Sequence, residues 1–194
     1  GAKDKNMDIE TSESGNKRLT SLTALTVVLF SVFLAIMGIK AGNVAQGIEQ
    51  TKADITNKWN QYQAARLKHD ISESAIVTNN LFAAVPGVDP AIIKGEREKA
   101  EKANATYIER EKKYSSEAKE LQGKLEELNK KDDQYDVAEA LLTIGIATSA
   151  IAILAESWIM LTLGWIFGGF GMAMGTAAMR GIDLYPEWLV QLIT

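Results

Sequence analysis

Apolar and charged residues are segregated into blocks along this chain, and three of the blocks are long enough to form helices that cross a bilayer. The first runs from Leu19 to Ile39 and carries no charge, only Thr and Ser as polar groups. About 20 such residues span a hydrocarbon core of roughly 30 Å. Lys17 and Arg18 before it and Lys40 after it are the flanks expected at a membrane interface. A signal peptide is the competing reading, but the block is long for one and no small-residue cleavage site stands out after it. The second block runs from Val137 to Ala155 and the third from Trp158 to Met179. Only Glu156 and Ser157 separate them, which predicts a tight antiparallel helix pair. Backbone polar groups in lipid must be satisfied within the segment, so all three blocks are read as helices.

The charged stretch 41–136 also has helical periodicity, and it divides in two. One arm covers about 43–84; the other covers about 90–136 and runs into the second span without a break. Pro86-Gly87 is a turn signal, and Asp89 is placed to cap a helix that has Pro90 as its first residue. Each arm would measure roughly 60–70 Å at about 1.5 Å per residue, as a chain that leaves a membrane and returns to it requires. In the second arm Tyr114, Ala118, Leu121, Leu125, Leu128 and Tyr135 follow 3-4 spacing, with Asp132 interrupting. Tyr107, Ala103 and Ala100 continue the stripe after a phase shift. In the first arm Ile48, Ile55, Trp59, Tyr62, His69 and Ile76 form a looser heptad. Both stripes are thin in large apolar residues, which favours further copies or a partner protein around the stalk.

The expected organisation is therefore a polar, flexible tail at 1–18, a first transmembrane helix at 19–40, an extramembrane helical hairpin at 41–136 with its turn near 85–90, a second span at 137–155, a third at 158–179 and an interfacial tail at 180–194. The fold class is all-α: an integral membrane protein with three transmembrane helices and a long antiparallel, coiled-coil-like hairpin domain. Trp158, Tyr185 and Trp188 fall at interface positions.

Composition narrows the chemistry. There are 21 Lys and Arg against 25 Asp and Glu, and the net charge of −4 argues against a nucleic-acid binder. The chain has no Cys, which excludes disulfides, thiolate metal sites and Cys nucleophiles, and its single His excludes a His cluster within one chain. His69, between Lys68 and Asp70, reads as a solvated or hairpin-facing residue, because no nucleophile motif accompanies it. The acid pairs Glu126-Glu127 and Asp132-Asp133 stand beside lysines and read as a solvated face. No catalytic residue, cofactor or metal site is expected.

Two features of the spans remain. Gly164, Gly168, Gly171 and Gly175 share one face of the third span, and Gly145, Ser149 and Ala152 form a similar stripe on the second. Small residues let membrane helices approach closely, so the stripes predict helix packing, either on each other or between subunits. Glu139 and Glu156 lie near the ends of the second span and read as interfacial carboxylates. Thr20, Thr23, Thr26 and Ser31 on the first span are the only candidate polar face for a pore.

The stretch Asn57-Lys58-Trp59-Asn60-Gln61-Tyr62-Gln63-Ala64-Ala65 resembles the Trp-x-x-Tyr-Gln-Ala signature of a bacterial membrane family, the domain of unknown function 4337. Tyr135 to Leu154, with Ala138-Glu139-Ala140-Leu141-Leu142 followed by Ile144, Ala147, Ser149 and Ile151, resembles that family's approach to its second span. The resemblance covers roughly 17–178. Members often carry basic residues between the last two spans, where this chain has Ala155-Glu156-Ser157. The resemblance implies architecture and a packing role for Trp59 and Tyr62, with no activity attached.

The expected function is a non-enzymatic, self-associating membrane protein, a scaffold or accessory subunit assembled through its stalk and its glycine face. The expected partners are the lipid bilayer, further copies of the chain and a membrane-complex protein. The alternative is an oligomeric channel or transporter with its pore between subunits. Lys17 and Arg18 favour a cytoplasmic N-terminus and a periplasmic stalk at a bacterial inner membrane; Lys130 and Lys131 argue the other way, but long domains cross largely regardless of charge.

Overall fold

The computed structural model describes the backbone of residues 2–184 and the side chains of 17–184. Three helices account for nearly all of it: α1, Ala2–Phe82; α2, Pro90–Leu154; and α3, Trp158–Met179. There is no strand among the described residues. Residues 2–18, read from the sequence as a tail, fall within the bounds of α1. The apolar block Trp158–Met179 coincides with α3. The chain divides into two compact units, Gly1–Gly47 with Glu127–Thr194, and Ile48–Glu126.

In the first unit the three helical segments pack on one another. Phe30 and Met37 of α1 meet Gly168 and Gly175 of α3, so these segments run parallel. Gly145 and Leu142 of α2 meet Gly168 and Gly171, so α2 and α3 run antiparallel. Leu19, Ala152 and Leu161, one from each helix, form a buried cluster. Inward positions on α1 recur at Leu19, Thr23, Thr26, Phe30 and Met37, a 3-4 rhythm that keeps one stripe facing its neighbours.

The link between α2 and α3 is as short as the sequence demands. Ser157 N–H donates to Ala152 C=O at 3.0 Å and Glu156 N–H donates to Ile153 C=O at 3.3 Å. Glu156 has φ 47, so this is a Schellman closure with a left-handed residue at its end. The end of α3 repeats it, with Ile182 N–H donating to Ala177 C=O, Gly181 N–H to Ala178 C=O, and Gly181 at φ 71. Glycine occupies the left-handed position at one helix end and glutamate at the other. A side chain there costs about 1 kcal/mol or more. Glu156→Gly is expected to stabilise the protein by about 1 kcal/mol, read as a higher denaturant midpoint in detergent, and Gly181→Ala to lower it by a similar amount.

In the second unit α1 and α2 run side by side in opposite directions. Lys58 Nζ pairs with Glu117 at 2.7 Å, and His69 Nδ1 with Glu111 Oε1 at 2.8 Å. Lys68 lies over the Tyr107 ring at 5.8 Å. The inward face of α1 carries Ile48, Thr51, Ala65 and Ser72, all buried. Between the helices, Asp89 Oδ1 accepts from Ala91 N–H at 2.8 Å, the cap expected ahead of Pro90. Gly87, at φ 90, supplies the left-handed step that the turn needs.

Candidate functional site

The glycine stripe of α3 and its counterpart on α2 are the most constrained place in the first unit. A Cβ placed on Gly145 would lie 2.7 Å from Gly168 N and 3.0 Å from Gly164 O, so the two backbones touch directly. One on Gly171 would lie 2.8 Å from Leu142 Cγ and 2.9 Å from Ala138 O. One on Gly164 would strike Ser149 Oγ, and one on Gly168 the Phe30 ring. One on Gly175 would lie 2.6 Å from Met37 Sδ. Gly169, next in sequence to Gly168, has open space. The stripe considered for subunit contact is thus filled by the chain's own α1 and α2, and a second subunit has no room at these glycines. Ser149 is fully buried beneath Gly164.

The hydroxyls proposed for a pore do not share a face. Thr23 and Thr26 are buried, whereas Thr20 and Ser31 are exposed. Trp165 Nε1–H donates to Thr26 Oγ1 at 2.8 Å, a bond that ties α3 to α1. Glu139 and Glu156 are exposed.

Gln134 was missed from the sequence. It is 3 % exposed, and its side chain holds the segment that follows α3. Its amide N–H donates to Met174 O at 3.2 Å and Ile182 O at 3.3 Å, and its Oε1 accepts from Leu184 N–H at 3.4 Å. A single glutamine amid Asp and Lys gives no signal of this role, because its partners are backbone atoms 40 or more residues away.

In the second unit Trp59 and Tyr62 meet edge to face, ring centroids 5.5 Å apart. Leu121 and Leu125 are half-buried, as is Leu128 in the first unit, where it contacts Gly47. Trp158 is exposed, and Tyr185 and Trp188 lie outside the described residues. An open groove of about 570 Å³ lies between the helices, with Ala75, Ala100, Ala103 and Tyr107 in its walls. Among the described residues no three metal-ligating side chains converge.

The Lys58–Glu117 pair sets the local electrostatics. Its hydrogen bond holds the Glu117 carboxyl below the usual range and the Lys58 ammonium above it. The pair's contribution to stability is therefore present between the two groups' ordinary values. It is lost as pH falls through the depressed Glu117 value or rises through the elevated Lys58 value. Carboxyl-carbon NMR should find Glu117 titrating below the ordinary carboxylate range, and Lys58→Met should raise its midpoint.

A family model for the domain of unknown function DUF4337 matches residues 19–181. The chain belongs to the DUF4337 family. The match takes in all of the structure just described except the two ends. No curated protein and no solved structure matches this DUF4337 chain.

Proposed function

We propose that this DUF4337 protein is an integral membrane protein with three spanning helices and a helical hairpin outside the bilayer, and that it self-associates as a scaffold or accessory subunit with no catalysis of its own. All three helices are long and apolar enough to cross a membrane. The observation that carries the reading is the direction of their apolar residues. Leu25, Val28, Leu29, Val32 and Ile36 of α1 and Ile159, Ile166 and Phe170 of α3 are exposed on the outside of the first unit. Its interior is glycine, alanine, threonine and serine as much as leucine. That inversion of the water-soluble pattern suits lipid on the outside and close helix approach within.

Self-association is placed on the hairpin, because the glycine face is occupied within the chain. The channel reading has less behind it, since its four hydroxyls point to different sides. The bacterial inner membrane, with a cytoplasmic N-terminus and a periplasmic hairpin, is the proposed setting, on the strength of Lys17 and Arg18. The test is the mass of the purified protein in mild detergent, by light scattering with the detergent subtracted. A discrete multiple of the 21.2 kDa chain is expected. A monomer at all concentrations would remove self-association from the proposal.

A further inference from the structure

We infer that the crevice between α2 and the segment after α3 takes the headgroup of an ethanolamine phospholipid, its phosphate on Lys130 and Lys131 and its ammonium on Glu127. This deepens the membrane reading and rests on it. The crevice holds about 370 Å³ and lies within the first unit, with Glu127, Lys130 and Lys131 of α2 on one side and Ile182 and Asp183 on the other. Gln134 and Ala178, 3 % and 1 % exposed, close its base. The Gln134 amide is spent on Met174 O, Ile182 O and Leu184 N–H, so selection of a ligand falls to the charged walls.

The lysines point to an anion. Among the described residues two lysines are half-buried, Lys58 and Lys131. Lys58 has Glu117 at 2.7 Å. Among the described residues neither Lys131 nor Lys130 has a carboxylate partner, and Glu127, one turn back on the same helix, pairs with neither. A half-buried ammonium without a counter-charge is costly, and an anion in the crevice supplies one. Depth identifies the anion. Lys131 stands about 9 Å before Val137, where the apolar block of the second span begins, and the opposite wall starts at Ala178, where the third block ends. The headgroup layer is about 5–8 Å thick on each side of a bilayer, within reach of a lysine stem at that position. Basic pockets between membrane helices are recurrent headgroup sites. The order of charges selects ethanolamine. Glu127 lies about 5–6 Å further from the span than the lysines. Phosphate is the inner charge of such a headgroup and ammonium the outer, so each meets its opposite. A headgroup with negative charge alone is repelled at the outer end by Glu127. Asp183 in the far wall is already engaged.

Native mass spectrometry of the full chain released from non-ionic detergent tests this, with phosphatidylethanolamine, phosphatidylcholine and phosphatidylglycerol of matched acyl chains as probes. The unaltered protein is expected to retain one phosphatidylethanolamine per chain, about tenfold more tightly than phosphatidylglycerol, which lacks the ammonium. Phosphatidylcholine, whose ammonium has no N–H to donate, should fall between them. Lys130→Gln combined with Lys131→Gln should weaken retention about tenfold or more, and Lys112→Gln, exposed elsewhere on α2, should leave it unchanged. Glu127→Gln should abolish the preference for phosphatidylethanolamine while phosphatidylglycerol still binds. The substituted side chains are exposed or half-buried, so helix content by circular dichroism should not change. Retention that ignores the lysine pair, or equal retention of the ethanolamine and glycerol lipids by the unaltered protein, overturns this site and leaves the membrane reading standing. Free phosphoethanolamine binding as tightly as the lipid overturns the assignment to a lipid. A chain that stays in solution without detergent overturns the membrane reading and this site together.

Discussion

Gly145→Leu is expected to disrupt the helix packing of the first unit, with a loss of about 3 kcal/mol or more. The Cβ alone would sit 2.7 Å from Gly168 N and 2.8 Å from Gly168 Cα, atoms that cannot swing aside as a side-chain end can. Relief requires α2 and α3 to move apart along their shared face. Every other close pair on that face, Gly171 against Leu142 and Gly164 against Ser149, then loses its contact as well. In the bilayer setting proposed for these helices, lipid offers no hydrophobic penalty to hold them together once they part, because its tails are as apolar as leucine. Unfolding titrations in mixed detergent and SDS measure the effect. Gly169→Leu is the matched control, since a Cβ there meets nothing within 4 Å. If the two variants unfold alike, the close approach of α2 and α3 is wrong. The same experiment separates packing within the chain from assembly: Gly145→Leu should change the fold of a monomer and oligomer alike.

The extent of α3 was legible in the sequence because hydropathy reports a one-body property, the transfer of a block out of water, whereas the start of α1 was not, since the polar residues 2–18 read as a tail lie within that helix. Trp158–Met179 is continuous in apolar character and is one helix. Asp89 and Pro90 announced a helix start through local chemistry alone, and the Asp89 cap is present. The glycine spacing identified a packing face, but not its occupant. Lipid and helix surface are equally apolar, so periodicity in a span says which residues share a face and not what covers it. The Thr23 and Thr26 hydroxyls illustrate this: in the sequence they group with Thr20, yet Thr26 is held by Trp165, 139 residues away, and Thr20 is exposed. On the second unit the difficulty is reversed. Thr51, Ala65 and Ser72 are inward positions that a search for large apolar residues passes over, while Leu67 and Leu81 are apolar and exposed. The heptad of Ile48, Ile55, Trp59, Tyr62, His69 and Ile76 leaves Leu67 and Leu81 out, and all six of its members are buried or half-buried. Gln134 lies beyond any such pattern, because its role depends on backbone atoms of a distant segment.

Gln134→Leu is the second substitution expected to have a large effect, and its effect should be local. Leucine keeps the approximate volume of the side chain and removes all three of its hydrogen bonds. Met174 C=O sits within α3, where the helix supplies its own partner. Ile182 C=O and Leu184 N–H have no helix to fall back on, because they follow the left-handed turn at Gly181. Leaving buried polar groups without partners costs about 1–3 kcal/mol each, unless the segment moves out to water. The cheaper course is release of 181–184, since those residues are exposed and the Gln134 side chain draws them back against α2. Hydrogen exchange should therefore show Leu184 N–H losing about tenfold or more of its protection, equivalent to about 1.4 kcal/mol, while the amides of α3 stay protected. Gln134→Glu makes the contrast sharper. Its carboxylate can still accept from Leu184 N–H, but it cannot donate to Ile182 C=O, so protection at Leu184 should fall between that of the unaltered protein and that of Gln134→Leu. Equal protection in all three would mean that Gln134 does not hold this segment. The turn after α3 would then rest on its Schellman bonds, and Gly181→Ala would become the substitution that releases it.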